Sequence, residues 1–413
     1  MKHCRFWVLM VFAFLMSAGA VGADVFFVAV DSGYSNASIG IVSKTGEEYK
    51  VFHRLNRAMP TGFMGDSFAF AFQSPAGEER LLLREYDYTD NDSVYIYDLK
   101  NWDKPLYNAK WGVKNIVDAV SIGQYLYVIA QDSGSIIKVG VNSYSVVGSY
   151  QFQPVNGLPR RPVRIAAYNN SIYVVSNSTV DFLSWGISEV HKFDTDLKPV
   201  GAPVEIGVNV GGMSATAALY GNNFYVACLG DNVAENGSFW RVDLNDMTRE
   251  KLIDLSSHPS FSSYTNPMAS GVSIAADGTA LLLIADSYAP TDVYLASVTT
   301  LNNKEIGTAT DFTLKTGWSF GATYDKDNDI FWLMNGVNLE ARGKNGALLK
   351  VFTPIDLADE QIYTIAAIGG YQDGGDIGSG NRGGGGGGGC NTVMGLLACL
   401  LVIQAGFSRT RKI

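Results

Sequence analysis

Cysteine is almost missing from the body of this 413-residue chain. Of four cysteines, Cys4 lies near the start and Cys390 and Cys399 near the end. Cys228 alone lies between them, which excludes an internal disulfide framework. Its setting, Phe224-Tyr225-Val226-Ala227-Cys228-Leu229, is an apolar strand, and a buried, inert thiol is expected there because reactive thiols sit in accessible, electropositive surroundings. Charge is scarce as well, at 17% of residues, with a formal net charge of −9. That balance argues against a nucleic-acid partner, since phosphate neutralisation needs clustered Lys and Arg. Histidine is rare, and His53, His191 and His258 are scattered along the body with no zinc-ligand spacing. His191 falls in a strand, where a surface or packed role is expected rather than that of a base. Nucleophilic catalysis is not expected, as no serine elbow is read in the chain. Helical periodicity is missing too.

What the chain has is aromatic residues, at 12%, and 45 glycines. Such composition suits strands that are half or fully buried, joined by turns. A repeated unit runs through residues 24–370: a short apolar-aromatic strand, a polar turn, then a second and a third strand. The clearest copy is Gln124-Tyr125-Leu126-Tyr127-Val128-Ile129-Ala130, then Gly134-Ser135-Ile136-Ile137-Lys138-Val139, then Ser145-Val146-Val147-Gly148. Leading strands of the other copies are Val25–Val30, Arg80–Leu83, Ser171–Val175, Asn223–Ala227, Ala280–Ile284 and Asp329–Leu333. A further strand precedes each run, as in Ile116–Val120, Val163–Ala167 and Gly271–Ala275. The first unit lacks it, and a matching strand stands at the far end, Gln361–Ile368. Seven units with a mean period of about 50 residues fit four-stranded propeller blades. The spacing therefore predicts an all-β, seven-bladed β-propeller in which Gln361–Ile368 completes the first blade and removes the free sheet edges. The body resembles the broad superfamily of seven-bladed propellers with weak repeats, of the lactonase and surface-layer types. That resemblance implies a fold shared by many functions.

The two ends read as addressing segments. Lys2 and Arg5 precede an apolar run from Phe6 to Met16 and then small residues, the layout of a secretory signal peptide. Cleavage is expected after Ala23 rather than Ala20, because Asp24 opens the first strand; the alternative is an uncleaved anchor. After Tyr371 the chain turns Gly-rich, ending in seven glycines, Gly383–Gly389, and such a stretch is a flexible linker. Cys390-Asn391 follows, then an apolar stretch from Val393 to about Phe407, then Arg409, Arg411 and Lys412. A basic end after a short apolar segment is a stop-transfer layout. Roughly 15 residues at about 1.5 Å each fall short of a ~30 Å hydrocarbon core, which suggests a processed signal. Gly388-Gly389-Cys390-Asn391 with the Leu/Ala-rich stretch and basic end resembles the Synergist-CTERM sorting domain, and in layout the Myxo-CTERM and GlyGly-CTERM signals. The resemblance implies envelope sorting, a sorting protease as partner, processing at Gly388, Gly389, Cys390 and Asn391, and membrane attachment through the tail. Gln404 departs from a uniformly apolar segment, and an ordinary weak membrane anchor is the alternative. The divisions are thus 1–23 signal peptide, 24–370 propeller, 371–389 linker and 390–413 sorting segment.

Within the propeller, Asp325-Lys326-Asp327-Asn328-Asp329 reads as a turn, because Ile330 and Gly336 stand where an EF-hand needs Gly and Glu. Asp118, Glu85 and Asp87 are candidates for a central channel. Ser256–Met268 and Asp181–Trp185 are insertions that supply either binding surfaces or packing lids. No cofactor, metal ligand or catalytic residue is assigned. The expected function is an exported, membrane-anchored envelope protein whose propeller binds a ligand or an envelope protein. The alternative is an extracytoplasmic hydrolase or lactonase with a channel metal; a quinoprotein-like oxidoreductase lacks its adjacent cysteines and periodic Trp motif.

Overall fold

The computed structural model describes residues 25–30, 36–45, 48–58, 68–85, 90–99, 104–179, 185–211, 216–231, 237–286, 290–307, 309–313, 321–326, 328–335, 338–352 and 361–367. Nearly all of their regular structure is strand. The strands form seven four-stranded sheets, each an antiparallel meander in chain order save the first. Sheet 1 joins Gln361–Ala367 to Val25–Val30, Asn36–Thr45 and Glu48–Ala58, with Val25 opposite Ala367 and Val30 opposite Gln361. Sheets 2 to 7 open with the strands Phe68–Gln73, Ile116–Ile122, Arg160–Tyr168, Ala217–Tyr220, Pro267–Ile274 and Ala322–Asp325. Among the described residues no helix is long and apolar enough to cross a membrane.

Turn chemistry sets the register of these meanders. The first two strands of sheet 4 are joined by Asn169-Asn170, with φ of 46° and 55°, so that Tyr168 faces Ser171. Two consecutive positive φ values make the tight hairpin turn whose twist matches the strands, and Asn tolerates that region better than bulkier residues.

Burial falls outward across sheets 3 and 7. In sheet 3 the second strand, Tyr125–Ala130, is buried from Leu126 onward, while the fourth, Val146–Gln151, is mostly exposed. A strand buried on both faces needs no alternation, which is why Leu81-Leu82-Leu83 and Leu281-Leu282-Leu283-Ile284 are continuous apolar runs. Neighbouring sheets pack face to face through separate cores: Leu82, Ile96, Leu126 and Val139 between sheets 2 and 3; Tyr173, Val175, Phe224 and Val242 between sheets 4 and 5; Phe239, Ile253, Leu282 and Ile284 between sheets 5 and 6. Gln361–Ala367 packs on one side against Ala322–Asp325 of sheet 7 and on the other against Phe68–Gln73 of sheet 2. Between sheets 5 and 6 the backbones approach closely, for a Cβ on Gly237 would overlap the carbonyl oxygen of Pro267 and the backbone of Met268 and Ala269. The architecture is all-β and propeller-like.

Candidate binding cleft between the third and fourth sheets

The seam between sheets 3 and 4 starts as an ordinary apolar core. Val120, Tyr127, Ile129, Ile136 and Phe152 meet Ile165, Ile172, Val174, Phe193 and Leu197. Along sheet 4, however, the two-residue period changes chemistry. Strand Ser171–Thr179 pairs with Trp185–Phe193 so that Ile172 faces Phe193, Val174 faces His191 and Ser176 faces Glu189. Alternate residues share a face, so the surface turned to sheet 3 runs from Phe193 through His191 to Glu189. Apolar packing gives way to titratable side chains at one end of the seam. Arg160, first residue of the inner strand of the same sheet, arrives there from the crossover that leaves sheet 3.

These groups make one compact cluster. Arg160 Nη1 forms an ion pair with Glu189 Oε2, lies 3.2 Å from His191 Nε2 and donates to Ser176 Oγ at 3.4 Å. Ser176 Oγ is 2.9 Å from His191 Nε2, and Glu189 Oε2 is 3.3 Å from it. The guanidinium and carboxylate side chains are only 5% and 11% exposed. Phe152 meets the imidazole edge-on, ring centroids 5.0 Å apart. Burial, helped by the Arg160 charge, pushes the His191 pKa down to about 3, and burial also lowers that of Arg160. A guanidinium only donates, so His191 Nε2 accepts and the ring proton resides on Nδ1. The ring is a neutral imidazole at physiological pH. The set is not a nucleophile–base–acid relay, which requires the serine and the acid on opposite ring nitrogens; here Ser176, Glu189 and Arg160 all crowd Nε2.

The cluster floors a cavity of about 220 Å³ whose walls include Tyr150, Val155 and Pro199. Tyr150 is fixed by edge contacts to Phe152 and Phe193, centroids 5.2 and 4.8 Å away. Lys192 also borders the cavity, but it alternates to the opposite face of its strand, and its ammonium lies 5.4 Å from the Tyr173 ring centroid.

The residues expected from sequence are distributed otherwise. Asp118 is on an inner strand, 7% exposed, and its oxygens are committed: Oδ1 accepts from Ala119 N at 2.9 Å and Oδ2 from Ile165 N, on the next sheet, at 3.1 Å. Burial raises its pKa to about 7 against the opposing field of Arg164 and these two N–H groups. It staples two inner strands together. Glu85 lies on the second strand of sheet 2 and accepts from the Tyr95 hydroxyl at 2.6 Å, while Asp87 lies outside the described residues. Among the described residues no three His, Cys, Asp or Glu side chains gather as a metal would require. Asp325 opens a turn, as expected: Oδ1 accepts from Asn328 N at 3.1 Å, and Oδ2 from Asn328 Nδ2 at 2.8 Å and from the Trp332 indole at 3.0 Å. The Ser256–Met268 insertion is a packing lid, with Phe261 1% exposed against Tyr264 and Tyr294. It is also shorter than expected, because Pro267 and Met268 already belong to the inner strand of sheet 6. Cys228 is buried and not part of a disulfide. His258 caps a short turn through Ser260 N at 3.3 Å. Of Asp181–Trp185 only Trp185 is described, as the start of a strand. Ala23 and Gly388, Gly389, Cys390 and Asn391 lie outside the described residues.

Two signals escaped the reading of the sequence. Gly317-Trp318-Ser319-Phe320-Gly321 does carry Gly-x-Ser-x-Gly spacing, against the expectation of none. Only its Gly321 is described, and the segment leads into the strand Ala322–Asp325, whereas an elbow turns from a strand into a helix. The Arg160–Glu189–His191 set was also missed, though Glu189-Val190-His191 inside an apolar strand pattern is a visible break in that pattern.

No family model matches the chain, and no curated protein matches it either. Solved structures do. The chain is similar to a candidate 6-phosphogluconolactonase from Bacteroides fragilis, with 11% identity, a TM-score of 0.56, and coverage of 85% of this chain and 99% of that one. It is also similar to the dihydro-heme d1 dehydrogenase NirN, with 14% identity, a TM-score of 0.47, and coverage of 83% and 74%. At such identities likeness speaks of fold, and the fold is a β-propeller resembling lactonase-like structures.

Proposed function

We propose that this chain is an exported envelope protein that acts by binding, with the cleft between sheets 3 and 4 as its ligand site. In this reading the seven sheets are seven blades of one ring, the first completed by Gln361–Ala367, and the ring is held at the membrane by the Gly-rich linker and the sorting segment from Cys390. The cleft carries the binding proposal. An ion pair buried in an otherwise apolar seam costs desolvation that well-packed apolar residues avoid, and this one floors a cavity instead of filling it. Polar groups converging in a concave, partly apolar site are what ligand pockets share. The lactonase alternative rests on fold likeness alone, and fold does not carry function.

The full-length protein tests both halves. Mass spectrometry of the mature chain is expected to find it starting at Asp24 and processed near Cys390; recovery with both ends intact would sink the export reading. Thermal melts against a library of envelope-type oligosaccharides and peptides are expected to give ligands that raise Tm of the parent but not of Glu189→Gln or Tyr150→Phe/His191→Phe. Stabilisation that survives in all of these folded variants would place binding elsewhere.

A further inference from the structure

We infer that the cleft recognises a neutral, hydroxyl-rich ligand: a single hexose-sized unit of an uncharged glycan. The inference rests on the cleft being the ligand site and adds the chemistry it selects.

Charge is balanced within the site. Arg160 is taken up by Glu189, His191 is neutral, and the ammonium of Lys192 is turned toward Tyr173. Each charge that borders the cavity thus already faces an opposite charge or, for Lys192, an aromatic ring. An ionic ligand would have to break a buried pair, leaving one partner uncompensated.

The site is nonetheless polar. The hydrogen-bond and ion-pair contacts of His191 are all made by Nε2, so among the described residues the Nδ1–H donor has no partner. Glu189 is engaged through Oε2, and its Oε1 has no partner among the described residues. The cluster that lines the cavity thus keeps at least one donor, on His191, and one acceptor, on Glu189. A purely apolar ligand would cover them unsatisfied and leave their desolvation uncompensated. Hydroxyl groups both donate and accept, so adjacent hydroxyls on one ring can give a proton to Glu189 Oε1 and accept one from His191 Nδ1.

The walls supply the other half of the match. A pyranose has an apolar face of C–H groups, and Tyr150, Val155 and Pro199 offer it an aromatic and aliphatic surface. Tyr150 is held in place by Phe152 and Phe193, so little ordering is needed on binding. At about 220 Å³ the cavity lies below the roughly 300–1,000 Å³ of sites for drug-sized ligands, which suits one ring of a longer chain that leaves through the open side.

Calorimetric titration of the full-length protein with neutral hexaoses of glucose, mannose, galactose and N-acetylglucosamine, beside an oligouronate and acidic and basic peptides, tests this. At least one neutral hexaose is expected to bind, and its affinity is expected to change less than twofold between 0.05 and about 0.5 M salt, as screening acts on charged ligands. His191→Phe, which keeps the ring and removes the donor, is expected to weaken binding tenfold or more, and Tyr150→Ala likewise; circular dichroism confirms that each variant is folded. Failure of every neutral hexaose overturns the inference. If a charged probe binds instead and His191→Phe abolishes it, the cleft stands as the site and only the ligand class falls. Neutral-glycan binding unchanged in both variants sinks the cleft itself.

Discussion

Asp118→Asn should invert its effect on stability between acid and neutral pH. The carboxyl is buried between two inner strands, and its pKa in the fold is about 7 against 3.8 for an exposed aspartate. Because the folded value is raised, the native state holds the proton more tightly than the unfolded chain. The stabilisation is therefore complete below about pH 4 and is lost as pH rises through 7. At 1.36 kcal/mol per pH unit the gap corresponds to roughly 4 kcal/mol. Asparagine abolishes this dependence but offers a single oxygen where Ala119 N and Ile165 N now have one each, a pH-independent loss of about 1–3 kcal/mol. The variant should be the weaker protein at pH 4.5 and equal or stronger at pH 7.5. Urea denaturation at four pH values, compared through the wild-type-minus-variant difference, isolates Asp118 from every other titrating group, provided the slope m is unchanged. A difference that stays flat from pH 4.5 to 7.5 would refute the buried, proton-retaining carboxyl.

His191 runs the other way. Its folded pKa of about 3 lies below the ordinary 6.5, so its contribution is present above pH 6.5 and lost as pH falls toward 3; NMR of the ring should find no titration above pH 5, and a midpoint between 6 and 7 contradicts the buried cluster. Asp325→Ala removes the acceptor of the Trp332 indole, a side chain 1% exposed, and both turn bonds to Asn328; a loss of at least roughly 2 kcal/mol is expected by denaturant titration, and a neutral result would contradict a structural role for these bonds. Gly237→Ala places a methyl against the backbone of Pro267–Ala269 and should cost about 1–3 kcal/mol, seen as a lowered Tm, as overpacking does.

Much of the architecture could be read from period and punctuation. Runs such as Tyr125–Ala130 and Ala280–Ile284 announced strands, and the placement of Gln361 onward beside Val25–Val30 followed from one unit lacking a strand and the far end having one to spare. The turn at Asp325 was legible because Asp and Asn bond locally to their own backbone. The site was not. Arg160 and Glu189 are 29 positions apart in sequence, and nothing local signals that strand pairing sets them on one face. Asp118 was placed correctly on an inner strand, but its bond to Ile165 N depends on how two sheets meet. The serine motif at Gly317–Gly321 was overlooked outright.

By itself the sequence determined that the chain is built of strands, where they begin and turn, and which runs are interior, because backbone hydrogen bonding and apolar burial act on residues close in the chain. Only the tertiary structure decided which faces oppose each other. Desolvation and ion pairing depend on distances between sheets, so a histidine that is unremarkable in its strand becomes neutral, oriented and poised over a cavity once Arg160, Glu189 and Phe152 close around it.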